Sequence, residues 1–106
     1  NYEIQPNFIT NKIVEGEVIQ GSIFVNKNIE NKIVIIENAD PGYDWIFSHK
    51  IKGLITLYGG LASHMAIRCA EFNIPASIGC GQLIFNQIKI SKKIILDCKN
   101  KRLTKV

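Results

Sequence analysis

Between Leu57 and Ile78 the chain reads LYGGLASHMAIRCAEFNIPASI, and no other stretch restricts the fold as much. An apolar run, Leu54 to Leu57, delivers the chain to Gly59 and Gly60, where the missing β-carbons free the backbone for a sharp change of direction. Residues from about Ser63 to Phe72 then follow a helical pattern, with Met65, Cys69 and Phe72 at i, i+4 and i+7 on one apolar stripe. Asn73 suits a left-handed helix stop, Pro75 prevents continuation, and Ala76 to Ile78 returns as strand. A strand, turn, helix and strand of these lengths require parallel strands with a helix packed across them.

The segment before this unit repeats the scheme. Residues Asn1 to Asn11 mix polar and apolar types around Pro6 and read as a lead-in arm or hinge, so the domain proper is expected over residues 12–106. Ile13 to Val25 is rich in β-branched residues and interrupted by Gly16 and Gly21, which predicts one long bent strand or two short ones with a bulge. The polar run Asn26 to Lys32 turns the chain, and Ile33 to Ile36 is a continuous apolar strand, buried on both faces. Asp40 followed by Pro41 is a helix-start signal, with a short helix through Trp45, Ile46 and Phe47 ending near Gly53. From Leu83 onward, Ile84, Ile88 and Ile90, then Ile94 to Leu96, a turn near Asn100, and Leu103 to Val106 read as antiparallel hairpins. The fold class is α/β: a mixed sheet with two helices in layers, closed by C-terminal antiparallel hairpins.

With 106 residues there is room for one core and one domain, and 46% apolar with 21% charged residues describes a compact globular chain. Every hydrophobic run is broken within about ten residues, short of the ~20 that span a bilayer. The chain begins at Asn1, so a longer parent protein is expected, and its first residues do not exclude a signal peptide upstream. Cys69, Cys80 and Cys98 form no CxxC pair, which fits reduced thiols, a cytoplasmic setting and no zinc site. The net charge of +4 is concentrated at the end: seven basic residues between Lys89 and Val106 face the single acid Asp97. No aromatic residue interleaves them, so a solvated strand face or a link to a further domain is the better reading than nucleic-acid binding.

His64 stands just behind two glycines at a helix start. Glycines let a bulky anion approach the main chain, and the first helical turn points unpaired N–H groups and partial positive charge at it. The positive helix end disfavours imidazolium and keeps a ring nitrogen lone pair available as a nucleophile. A phosphoryl group attached there would meet the same N–H groups and the Ser63 hydroxyl, with Arg68 one turn on at i+4. Local chemistry leaves two alternatives open: His64 as a cap or packing residue, and Arg68 as a solvated helix charge. His49 reads as the C-terminal charge partner of the short helix.

The run GGLASHMAIRCAEFNIPASIGCG resembles the phosphohistidine segment of the phosphoenolpyruvate-utilising enzymes, the group that holds phosphoenolpyruvate synthase, pyruvate phosphate dikinase and the first enzyme of the sugar phosphotransferase system. Gly59, Gly60, Ser63, His64, Ala66, Ile67, Glu71, Ile74, Pro75, Ala76 and Gly79 fall on that pattern, and the likeness covers Ile33 to Gly81. Ala62 stands where many members have threonine, Met65 replaces a smaller residue, and an arginine often found near the place of Ala70 appears at Arg68. The resemblance implies a layered β/β/α swivelling domain whose catalytic residue is His64 and whose substrate-binding residues are Gly59, Gly60, Ser63 and Arg68. It further implies an ATP-grasp nucleotide-binding domain and an acceptor or phosphoenolpyruvate-binding domain as partners, in the same chain or in trans. Magnesium belongs to those partners, with no cofactor or metal bound by this domain. A docking or regulatory module of the same fold, never phosphorylated, is the alternative function.

Overall fold

A computed structural model describes residues 6–21, 28–38 and 40–106. Its frame is one seven-stranded mixed sheet in the order β1-β5-β4-β3-β2-β6-β7. The strands are β1 (Asn7–Ile9), β2 (Ile13–Gln20), β3 (Ile33–Ile36), β4 (Gly53–Thr56), β5 (Ala76–Ile78), β6 (Lys93–Asp97) and β7 (Arg102–Lys105). Strands β2 to β5 run parallel as neighbours; β1 joins β5 and β6 joins β2 antiparallel, and β7 pairs antiparallel with β6.

β3 shows why the centre reads as an unbroken apolar run. Side chains alternate across a sheet, so Val34 and Ile36 enter one core while Ile33 and Ile35 enter the other, and all four are buried. Helix α1 (His64–Glu71) and a 3₁₀ helix (Pro41–Ser48) cover the first face with Met65, Ala66, Cys69 and Ile46. Helix α2 (Gln82–Lys89) covers the second with Phe85 and Ile88, joined there by Ile94 and Leu96 of β6. The expected helix signals act as read: Asp40 accepts from Gly42 N at 2.8 Å with Pro41 following. Asn73 takes φ 57°, and the N–H groups of Ile74 and Asn73 return to the carbonyls of Cys69 and Ala70, a Schellman closure.

Four expectations change. Residues 82–89 are helical, because Phe85 and Ile88 at i, i+3 and Ile84 and Ile88 at i, i+4 form a helical stripe, while Leu83 and the C-cap Ile90 stay exposed. One C-terminal hairpin remains, β6 to β7, whose turn is held by Asn100 donating to both carboxylate oxygens of Asp97; these bonds hold that carboxyl below its ordinary range. The short helix ends at Ser48, capped by His49, and Gly53 instead opens β4, where a β-carbon would press on Leu96 Cδ2 at 2.8 Å. β2 runs through Gly16 as one strand, the first of the two expected alternatives, and residues 22–25 of that expected strand lie outside the described residues. Of the segment read as an arm, residues 1–5 also lie outside, and Asn7–Ile9 form an edge strand with Ile9 against the core. Among the described residues, no helix is long and apolar enough to cross a membrane.

Candidate functional site

Loops leaving the carboxyl ends of three adjacent parallel strands converge at one edge of the sheet, the usual place for a site in such folds. After β4, the Leu57 and Tyr58 N–H groups bond to Ile36 and Glu37 carbonyls and tie this loop to the one after β3. Thr56, fully buried, pins it to the loop after β5: its hydroxyl donates to Tyr58 O at 2.8 Å and accepts from Gly79 N at 2.9 Å. Gly59, at φ 122°, then turns the chain away from the sheet, a conformation that disfavours any side chain.

Ser63 is the N-cap of α1 and His64 its first residue, so the imidazole sits at the positive helix end, as the sequence predicts. The Ser63 hydroxyl accepts from Ala66 N at 3.4 Å, a long cap bond, and also lies near Gly59. A β-carbon on Gly60 would meet no atom within 4 Å, so the main chain there is open to an approaching group. Tyr58, Leu61 and Ile67 are exposed apolar side chains flanking His64 in sequence.

Sequence reasoning missed the residue closest to the imidazole. Asp44, in the first turn of the 3₁₀ helix, places Oδ1 2.6 Å from His64 Nε2, and both side chains are about two-fifths exposed. The signal was available in principle: β3 and β4 are parallel neighbours, so an acid in the first helical turn after β3 faces the first helical turn after β4. Arg68, by contrast, is turned toward the other end of α1. Its guanidinium lies 4.9 Å from the Phe72 ring centroid and 5.8 Å from that of Phe47, and Nη1 reaches Glu71 at 3.4 Å. Those two rings stack at 5.4 Å. Arg68 Nε is buried without a hydrogen-bond partner among the described residues.

The three cysteines are buried and free. Burial pushes the Cys69 thiol up to about 12, with a smaller contribution from Cys98, and pushes Cys80 and Cys98 up to about 11. All three are thiols at neutral pH, which removes them as nucleophiles. Among the described residues, no three His, Cys, Asp or Glu side chains cluster as a metal site. A cavity of about 560 Å³ between α2 and β7, lined by Phe8, Leu83, Ile84 and Leu103, includes neither His64 nor Asp44.

The family model described as PEP-utilising enzyme, mobile domain, matches residues 28–101, a span that contains the whole convergence of loops. A rifampicin phosphotransferase of Bacillus cereus is 35% identical over 72 residues, covering 62% of this chain and 8% of that protein. A phosphoenolpyruvate synthase of Synechocystis is 27% identical over 84 residues, 79% of this chain and 10% of the relative. Another, from Aquifex aeolicus, is 32% identical over 69 residues, 65% of this chain and 8% of its own length. The chain thus spans a tenth or less of the relatives it matches.

Proposed function

This chain belongs to the mobile-domain family of PEP-utilising enzymes, and we propose that His64 is its phosphoryl carrier within a larger phosphotransferase. The observation that carries the reading is the placement of His64 as the first residue of α1, behind an open Gly60, on the edge where three loops meet. A ring nitrogen attacks a phosphoryl group of ATP or phosphoenolpyruvate; the P–N bond forms as the donor's P–O bond breaks, and the electron pair leaves with the donor oxygen. The unpaired N–H groups of the first turn and the Ser63 hydroxyl then face the bound oxygens.

The rest of the reaction belongs to other domains: an ATP-grasp domain to load the histidine, and an acceptor or phosphoenolpyruvate-binding domain to unload it, each with magnesium to offset the spread negative charge. The length of the relatives supports such partners, and the exposed Leu61 and Ile67 beside His64 offer them apolar surface. A rigid-body swing connects the two stations, in the cytoplasm where both donors are made. Relatives named rifampicin phosphotransferase and phosphoenolpyruvate synthase support a small-molecule acceptor, of which pyruvate is one candidate.

The test is incubation of the parent enzyme with γ- or β-labelled ATP, or with labelled phosphoenolpyruvate. Acid-labile label is expected on His64 and absent from His64→Ala, whose circular dichroism spectrum is unchanged. Label retained in that variant overturns the assignment. No label on the unaltered protein from any donor favours the docking or regulatory alternative.

A further inference from the structure

Two demands meet at one atom of His64. The Asp44 carboxylate, 2.6 Å away, only accepts hydrogen bonds when ionised, so Nε2 carries a hydrogen while the pair stands and has no lone pair with which to attack phosphorus. Yet Nε2 is the ring nitrogen farther from the main chain, and so the one that a donor held by a separate domain reaches with least obstruction. We propose that Asp44 is a positioning residue that holds Nε2 while His64 is empty and is displaced from it when the phosphoryl group is taken up. Empty and loaded forms of the domain then differ in the 3₁₀ helix Pro41–Ser48. This inference deepens the carrier reading and rests on it.

The steps balance. The Asp44–His64 pair parts, the ring hydrogen passes by way of solvent to Nδ1, and the freed Nε2 lone pair forms the new P–N bond as the donor's own bond to phosphorus breaks. That bond is P–O in ATP or phosphoenolpyruvate and P–N in phosphoramidate, and its electron pair leaves with the donor's oxygen or with ammonia. The Nδ1 hydrogen stays, and the positive charge of the ring is offset by the phosphoryl oxygens. Carboxylate and phosphoryl group carry like charge and cannot share the space beside Nε2. Both partners are partly exposed, so the pair is weak enough to open. Unloading reverses the order, and the returning carboxylate competes with back-transfer.

Trp45, the chain's single tryptophan, follows Asp44 directly and meets the His49 ring edge-on at 5.5 Å. Its emission therefore reports movement of this helix. The test uses phosphoramidate, a small donor that modifies histidine without a partner domain, on the unaltered chain, Asp44→Ala and Asp44→Glu at neutral pH. Expected are Nε2-phosphohistidine at position 64, loading of Asp44→Ala roughly three to five times faster, the factor a partly exposed ion pair amounts to, and a rate near the original in Asp44→Glu. Trp45 emission changes on loading the unaltered chain and not on loading Asp44→Ala, whose circular dichroism matches. A phosphoryl group on Nδ1, an alanine variant loaded no faster or not at all, or an unchanged Trp45 signal overturns the inference. Because the small donor bypasses the partner domains, these outcomes are separate from the labelling by ATP or phosphoenolpyruvate that tests the carrier reading.

Discussion

The carbonyl oxygen of Gly59 occupies the space that a β-carbon on Gly79 would need. Two glycines from different loops thus let the turns after β4 and β5 close on each other, with the Thr56 hydroxyl bonded to both sides. The site edge depends on that closure.

Gly79→Ala should therefore unfold more readily by at least about 2 kcal/mol. Its φ of 72° alone costs a side chain about 1–2 kcal/mol, and the Gly59 carbonyl must also move. Gly60→Ala is the contrast: its methyl enters open space, so stability changes by no more than about 0.5 kcal/mol. Phosphoryl uptake in that variant should still fall roughly tenfold or more, because the methyl stands where the donor approaches. Urea titration and labelling of both variants check the separation.

Ser63→Ala removes the N-cap of α1. The 3.4 Å bond to Ala66 N is long, which places the expected loss at the lower end of the cap range, about 0.5–1 kcal/mol. Ser63→Asp should restore the lost stability by capping the same N–H groups, yet should not restore phosphoryl uptake, since a carboxylate repels the incoming group. Thermal melts read the first effect and His64 labelling the second.

Arg68 is a packing residue as much as a charge. Replacing it by alanine should lower stability by about 0.5–1 kcal/mol through loss of the Phe72 and Phe47 ring contacts. Arg68→Lys should recover only part of this, because an ammonium does not lie flat on a ring. A double-mutant cycle with Phe72→Leu should return a coupling of similar size.

The buried thiols predict an alkaline weakness. An unfolded cysteine ionises near pH 9, whereas Cys69 in the fold holds its proton up to about 12. Between those values the unfolded chain binds fewer protons, so this contribution is complete below about pH 9 and is lost as pH rises. Stability measured from about pH 8 to 10 should fall, less steeply in Cys69→Ala. At pH 8 a thiol reagent should modify the native chain at least a hundredfold more slowly than the unfolded one.

Much of this was legible in the residues alone, wherever the signal was local. Asp40-Pro41 starts a helix because a side chain and a fixed φ act on the next few peptide groups. Asn73 ends one because it tolerates the left-handed region, and β3 reads as central because four consecutive apolar residues need two covered faces. Residues 83–90 mimic a strand because Ile84, Ile88 and Ile90 all stand at even spacing, which a strand and a helix face share; burial of Phe85 against Ile94 and Leu96 decides for helix over Gln82–Lys89.

The sequence by itself determined that a histidine would begin a helix behind two glycines, since that arrangement needs only neighbours in the chain. It did not determine what stands beside the ring. Asp44 lies twenty residues away and reaches Nε2 only because β3 and β4 pair in register and their exits project the same way. Arg68 likewise leaves the helix on a side fixed by its period, but turns to Phe47 and Phe72 because those rings pack there. Contacts between separate elements depend on sheet order, register and which face each helix covers, and these are settled by burial of the whole core rather than by any local pattern.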